Sequence, residues 1–218
     1  MKTLLFDIEG TTTDIAFVHK TLFPYSLERI EDYVRAHSQH PAVEEVRAVL
    51  LQERGLSASL SDVIEALKLW IRTDRKIRAL KTLQGEIWLA GYQSGAFTGH
   101  VYADVPEAWT KWKAAGHQLA IYSSGSVPAQ KLIFGYSSAG DLTGLLSHYF
   151  DTTVGGKREV ASYLKIKEHL GAEVTFFSDI PEELQAAQAA GIDVVQVCRD
   201  GILPSPFRVI SNFLEYTA

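Results

Sequence analysis

Four short apolar runs mark the two ends of the chain: Leu4-Leu5-Phe6, Leu119 to Tyr122, Val174 to Phe177 and Val194 to Val197. The first three stop at small, polar or acidic residues, namely Asp7, Ser123-Ser124-Gly125 and Ser178-Asp179. Uninterrupted apolar runs of this length read as strands buried on both faces of a parallel sheet. The stretches between them carry helical spacing instead. Pro106 can open a helix through Trp109 and Trp112 that ends near Gly116, and two more are predicted from about Glu159 to Leu170 and from Pro181 to Ala190. Strands alternating with helices predict an α/β core, a Rossmann-like parallel sheet with helices on both faces.

About 100 residues separate the first run from the second with almost no strand signal. Val63, Leu67, Trp70 and Ile71 recur as one apolar helix face, with Ser61 and Asp62 placed as cap and first-turn acid. Further helices are predicted at about 24–37, 43–54 and 75–90. A helical block inserted after the first strand predicts an all-helical cap domain over 14–98, with the α/β core made of 1–13 and 99–218.

Composition narrows the class. The 218 residues allow one large domain or two unequal ones, and 46% hydrophobic with 22% charged residues describes an ordinary globular protein. The net charge of −5, with Lys and Arg scattered, excludes a nucleic-acid binder. One cysteine, Cys198, rules out an internal disulfide and fits a reducing compartment. No apolar run is long enough to span a membrane, and the opening residues run into Asp7 and Glu9, too short and too acidic for a signal peptide. The expectation is a cytoplasmic protein with no membrane or nucleic-acid partner; a monomer is compatible with the sequence.

In a parallel sheet, ligands bind beyond the carboxyl ends of the strands. Here those ends carry Asp7 with Glu9, Ser123 with Ser124, and Asp179. Carboxylates at neighbouring strand ends repel unless a cation lies between them, and hard oxygen donors favour Mg²⁺, which also bridges to phosphate. Helix capping is the ordinary explanation of any one such acid. Together with Lys157, which follows Gly155-Gly156 ahead of a predicted helix, the set instead points to a phosphate site. The glycines are expected to let the backbone approach a ligand. The spacing is not that of a P-loop, and no G-x-G-x-x-G follows the first strand, which excludes a dinucleotide-binding unit.

D-I-E-G-T-T at 7–12 resembles the first motif of the haloacid dehalogenase superfamily, with Glu9 where Asp is usual; Ser123-Ser124, Lys157 and Ser178-Asp179 stand where its other three motifs belong. F-V-x-x-x-L-F-P-Y from Phe17, G-H-V-Y from Gly99 and Y-S-S-G-S-V-x-A-Q-K-L-x-F-G-Y-S from Tyr122 are similar to the enolase-phosphatase family. Asp14, Ala16 and Pro181 depart from that pattern without removing a chemical group. The resemblance implies a Mg²⁺-dependent phosphatase acting on a small phosphorylated diketone, 5-methylthio-2,3-dioxopentyl phosphate, which is enolised and then dephosphorylated. It implies Asp7 as nucleophile and Glu9 as general acid and base. Asp7, Glu9 (through its backbone carbonyl) and Asp179 hold one Mg²⁺ per subunit, and Ser123, Ser124 and Lys157 bind phosphate. The enolisation base is left between Glu9 and Lys157.

Two rivals stand beside this expectation: a plain phosphatase of the same superfamily, and a non-catalytic module, whose motifs would be broken. The seven histidines lack metal spacing, Cys198 is expected on a buried strand, and the four tryptophans fall at core spacings. Phe17, Phe23 and Tyr25 fit either cap packing or the wall of a substrate pocket.

Overall fold

The computed structural model describes residues 2–171, 173–201 and 204–218. Six parallel strands, β1 (Thr3–Phe6), β2 (Gln118–Tyr122), β3 (His148–Phe150), β4 (Val174–Ser178), β5 (Asp193–Val197) and β6 (Arg208–Ile210), form one sheet in the order β3-β2-β1-β4-β5-β6. The four sequence-predicted strands are present. The two added ones, β3 and β6, are three-residue edge strands with too few positions to show a period.

β1 is central, and its register aligns three strand ends: Phe6 lies opposite Ile121 of β2 and Phe177 of β4. The chain therefore leaves the sheet at Asp7, Ser123 and Asp179 side by side. The strand order reverses across β1, the place where open parallel sheets leave a crevice.

The chain divides into two compact units, Met1–Ile15 with Thr98–Ala218, and Ala16–Phe97. The second is all helical. A short turn, α1 (Ile15–Phe17), and a π-helical turn, Val18–Leu22, lead into α2 (Phe23–Ala36), α3 (Pro41–Arg54), α4 (Leu60–Arg72) and α5 (Arg78–Gln93). Ile30, Val43, Val46, Leu67, Trp70, Leu80 and Leu83 are among its buried residues. The cap of α4 is Ser59, not Ser61: its hydroxyl accepts from Asp62 N at 3.2 Å while Asp62 accepts from Ser59 N at 2.8 Å. A reciprocal box satisfies two helix-end donors, which a cap at Ser61 would leave open. Helix α5 starts later than predicted because the chain is still extended at Ile77, with φ −100° and ψ 133°.

In the α/β unit, α6 (Asp104–Ala114), α7 (Val127–Gly135), α8 (Val160–Leu170) and α9 (Pro181–Ala189) cover both faces of the sheet. Alternate residues of each strand divide between the faces. Leu5, Ala120 and Phe176 pack with Tyr163, Ile166 and Leu184 of α8 and α9. Phe6 and Phe177 stack at 5.0 Å and meet Trp112 at 5.9 and 6.1 Å and Phe213 at 5.3 and 5.6 Å. Each such aromatic contact contributes about 0.5–1.5 kcal/mol beyond area burial, which anchors the sheet beneath the strand ends. Pro106 lies two residues inside α6 rather than opening it; the first turn needs no donor there.

Among the described residues, no helix is long and apolar enough to cross a membrane.

Candidate active site

The turn after β1 is built around one carbonyl: Ile8 O accepts from the amides of Thr11, Thr12 and Thr13 at 3.2, 2.9 and 2.9 Å. Gly10 takes φ 76°, and a Cβ there would overlap the Asp179 carboxylate, so only glycine brings the turn this close to the end of β4. Asp7 is 3% exposed. Its Oδ1 accepts from Ile8 N at 2.7 Å and from Lys157 Nζ, while Oδ2 carries neither bond. The nucleophile candidate thus has one anchored oxygen, and among the described residues no hydrogen bond reaches the other.

Thr11 ties this turn to β4. Its hydroxyl accepts from Asp179 N at 3.0 Å and donates to Asp179 Oδ1 at 3.3 Å. On the other side, Ser123 Oγ donates to Glu9 Oε2 at 3.2 Å and accepts from Gly125 N at 3.0 Å. Gln130 of α7 holds the Ser123–Gly125 loop by donating to Gly125 O and Phe150 O, both at 2.8 Å. Three bonded pairs thus stand at neighbouring strand ends: Asp7 with Lys157, Glu9 with Ser123, and Asp179 with Thr11; Ser124 continues the Ser123 loop.

The Lys157 loop departs from expectation in one respect. A Cβ at Gly155 would overlap Ser162 Oγ, so this glycine permits close approach of α8 rather than of a ligand. Tyr122 OH donates to Gly155 O at 3.0 Å and Tyr163 OH to Lys157 O at 2.7 Å, aiming the lysine across the sheet end.

The structure adds one residue that the motifs did not single out. Glu183 Oε2 lies 2.7 Å from Lys157 Nζ and accepts from Ser178 Oγ at 3.1 Å. Lys157 is shared between two carboxylates with its side chain 10% exposed. Burial alone would lower the ammonium, but the Asp7 and Glu183 charges and hydrogen bonds hold it well above the ordinary lysine range. Burial raises Glu183 to about 7, the Asp7 charge adding to it and Lys157 opposing it. Burial and then Asp7 raise Asp179 to about 6.

These directions predict a pH dependence. Carboxyls that titrate near 4 when unfolded keep their protons longer when folded, so between about pH 4 and pH 7 the native state binds more protons. Stability of the metal-free protein then falls as pH rises through that window. Thermal melts in chelator should show Tm falling from about pH 5 to about pH 7, with a shallower fall in Glu183→Gln; a wild-type Tm that rises over this range contradicts the assignment.

The donor set suits a hard cation. Two carboxylates, Asp7 and Asp179, converge closely enough for one to raise the other, and every donor is oxygen. Among the described residues no three His, Cys, Asp or Glu side chains group to hold a metal. The Glu9 side chain is turned to Ser123.

The remaining candidates resolve into packing. His40, His100 and His117 accept backbone amides at 3.1, 3.0 and 3.3 Å. Cys198 lies one residue past β5 and is half-buried rather than strand-bound. All four tryptophans are buried. Phe23 stacks on Trp88 at 6.4 Å, and Phe17 and Tyr25 meet Phe97 at 6.3 and 4.9 Å, all within the helical unit.

Comparison with known proteins gives the same direction. A family profile described as haloacid dehalogenase-like hydrolase matches residues 1–191. The chain is 51% identical to "Enolase-phosphatase E1" of Klebsiella pneumoniae (strain 342) over 203 residues, 91% of this chain and 89% of the relative. It is 49% identical to the protein of that name from Sorangium cellulosum (strain So ce56) over 206 residues, 92% and 89% of the two chains. The UTR4 protein of Saccharomyces cerevisiae superposes with a TM-score of 0.79 at 35% identity, covering 97% of each chain. The L-2-haloacid dehalogenase of Xanthobacter autotrophicus shares the fold alone, with a TM-score of 0.57 and 18% identity over 98% of this chain and 95% of that one. The chain belongs to the haloacid dehalogenase-like hydrolases and, within them, to the enolase-phosphatase family.

Proposed function

We infer that this protein is an enolase-phosphatase that converts 5-methylthio-2,3-dioxopentyl phosphate to 1,2-dihydroxy-5-methylthiopent-1-en-3-one and phosphate. The phosphoryl-transfer half is carried by the buried Lys157 ammonium on Asp7 at the carboxyl end of the central strand. The substrate rests on about half identity, over nine-tenths of the chain, to proteins bearing that name. In this reading 1–13 with 99–218 is the catalytic core and 14–98 the helical cap, and the protein works in the cytoplasm.

Oδ2 of Asp7 attacks phosphorus in line, forming an aspartyl-phosphate as the ester P–O bond breaks. Glu9, reprotonated from solvent after enolisation, gives its proton to the leaving oxygen, takes one from the water that cleaves the aspartyl-phosphate, and returns it to solvent before the next turnover. Ser123, Ser124 and Lys157 donate to the phosphoryl oxygens, where preorganised donors matter most as charge develops. Asp7, Glu9 and Asp179 would hold Mg²⁺, which when bound neutralises charge between phosphate and carboxylates.

Enolisation moves one proton from the ester-bearing carbon to the neighbouring carbonyl oxygen. Lys157 is held as an ammonium by Asp7 and Glu183, so it serves as countercharge to the enolate and Glu9 carries the proton.

Phosphate release across a panel of esters tests this reading. Activity should require Mg²⁺, vanish in chelator and be inhibited by Ca²⁺, which prefers 6–8 ligands at longer bonds. The diketone phosphate should be cleaved at least about 10²-fold faster than simple alkyl phosphates, the range of one well-placed electrostatic contact. Full activity in chelator refutes the metal assignment; equal rates across the panel leave a plain phosphatase.

A further inference from the structure

Arg199, just beyond β5, spends its guanidinium in an unusual way. Its side chain is 8% exposed and lies between the Tyr102 and Phe213 rings, 4.2 and 4.8 Å from their centroids. Nη1 donates to both oxygens of Asp104 at 2.9 Å and to Ser211 O at 3.3 Å. Asp104 is itself fixed by Phe213 N at 2.6 Å. That pairing would satisfy a structural arginine. Yet Nε and Nη2 both donate to one backbone carbonyl, Thr11 O, at 2.9 and 2.6 Å.

Thr11 is fully buried, and its hydroxyl holds both the amide and the carboxylate of Asp179. The G-H-V-Y segment braces the same turn: Tyr102 N donates to Thr12 O at 3.0 Å, and Thr13 Oγ1 donates to His100 O at 2.8 Å. A planar fork is what a two-donor grip on a carbonyl needs, and a lysine cannot reproduce it while also pairing with Asp104.

We propose that Arg199 is a positioning residue for the cation site: through Thr11 it fixes the orientation of the Asp179 carboxylate. The inference rests on the reading of Asp179 as a metal ligand. Groups that orient a ligand in this way typically set about 10- to 100-fold in metal affinity.

Mn²⁺ is the probe, its binding followed by the loss of the free-ion electron paramagnetic resonance signal, with folding checked by circular dichroism. Arg199→Lys should weaken Mn²⁺ binding about 10- to 100-fold. Thr11→Val should do the same, Thr11→Ser should retain wild-type affinity, and the Arg199→Lys/Thr11→Val double variant should be no weaker than the weaker single one, because both act along one path. A folded Arg199→Lys protein that binds Mn²⁺ like wild type, even with a lowered Tm, overturns the proposal. If Arg199→Lys does not fold, equal affinities in Thr11→Val and Thr11→Ser overturn it. A wild-type protein that binds no Mn²⁺ overturns the metal reading itself, and that titration comes first.

Discussion

The Asp7→Asn protein should fold normally and release phosphate at least about 10⁴-fold more slowly than wild type, the scale on which loss of a nucleophile is felt. A carboxamide is a poor nucleophile and a weaker cation ligand, so both roles fail at once. Its amide can still accept from Ile8 N, which keeps the turn after β1 in place. Loss of one negative charge beside Glu183 and Asp179 also removes part of what raises them. That relief opposes the loss of the Asp7–Lys157 ion pair, and the fall of Tm between about pH 5 and pH 7 should be shallower in metal-free Asp7→Asn than in wild type. A folded variant with substantial phosphate release would exclude the aspartyl-phosphate.

Lys157→Met should be damaging in both stability and rate. It keeps the length of the side chain but leaves Asp7 and Glu183 without the cation between them. Removing one partner of a buried charge cluster typically costs about 3–5 kcal/mol, of which protonation of Glu183 recovers a part. Denaturant unfolding should show that loss at neutral pH and a smaller one near pH 5, where Glu183 carries its proton. With a phosphoryl-oxygen donor also gone, kcat/KM should fall about 10²- to 10³-fold. A Lys157→Met protein as stable and as active as wild type would remove Lys157 from the site.

The strand ends of the candidate site were legible because buried parallel strands announce themselves: Leu4 to Phe6 and Val174 to Phe177 are apolar runs that stop at Asp7 and at Ser178-Asp179. Those strand ends pointed to Asp7, Glu9, Ser123, Ser124 and Asp179, the Gly155-Gly156 loop to Lys157, and the family resemblance to their roles. Glu183 was not legible in the same way. Beside Glu182 in the first turn of α9 it reads as an acid favoured by the helix dipole, and any such acid would look alike. The usable signal was its spacing of four from Asp179 with Pro181 between, which turns the second carboxylate back toward the strand end. Arg199 was hidden for another reason. Its partners Asp104 and Thr11 are 95 and 188 residues away in the chain, and no local pattern encodes a contact made only by the folded sheet. Ser61 against Ser59 shows the limit at short range, since both precede the apolar face of α4 and only the reciprocal bond with Asp62 separates them.

The order of the two chemical steps is the part of the account that separates it most sharply from a plain phosphatase. In the proposed mechanism enolisation uses Glu9 and the Lys157 ammonium but not a nucleophilic Asp7, so a variant lacking the nucleophile should stop between the steps. Asp7→Asn mixed with 5-methylthio-2,3-dioxopentyl phosphate, with ultraviolet absorbance and free phosphate followed together, tests this most directly. Absorbance from a conjugated enol phosphate should rise while phosphate stays at background. Absence of that absorbance in a folded, metal-loaded variant, together with wild-type cleavage of simple esters as fast as the diketone, would contradict it.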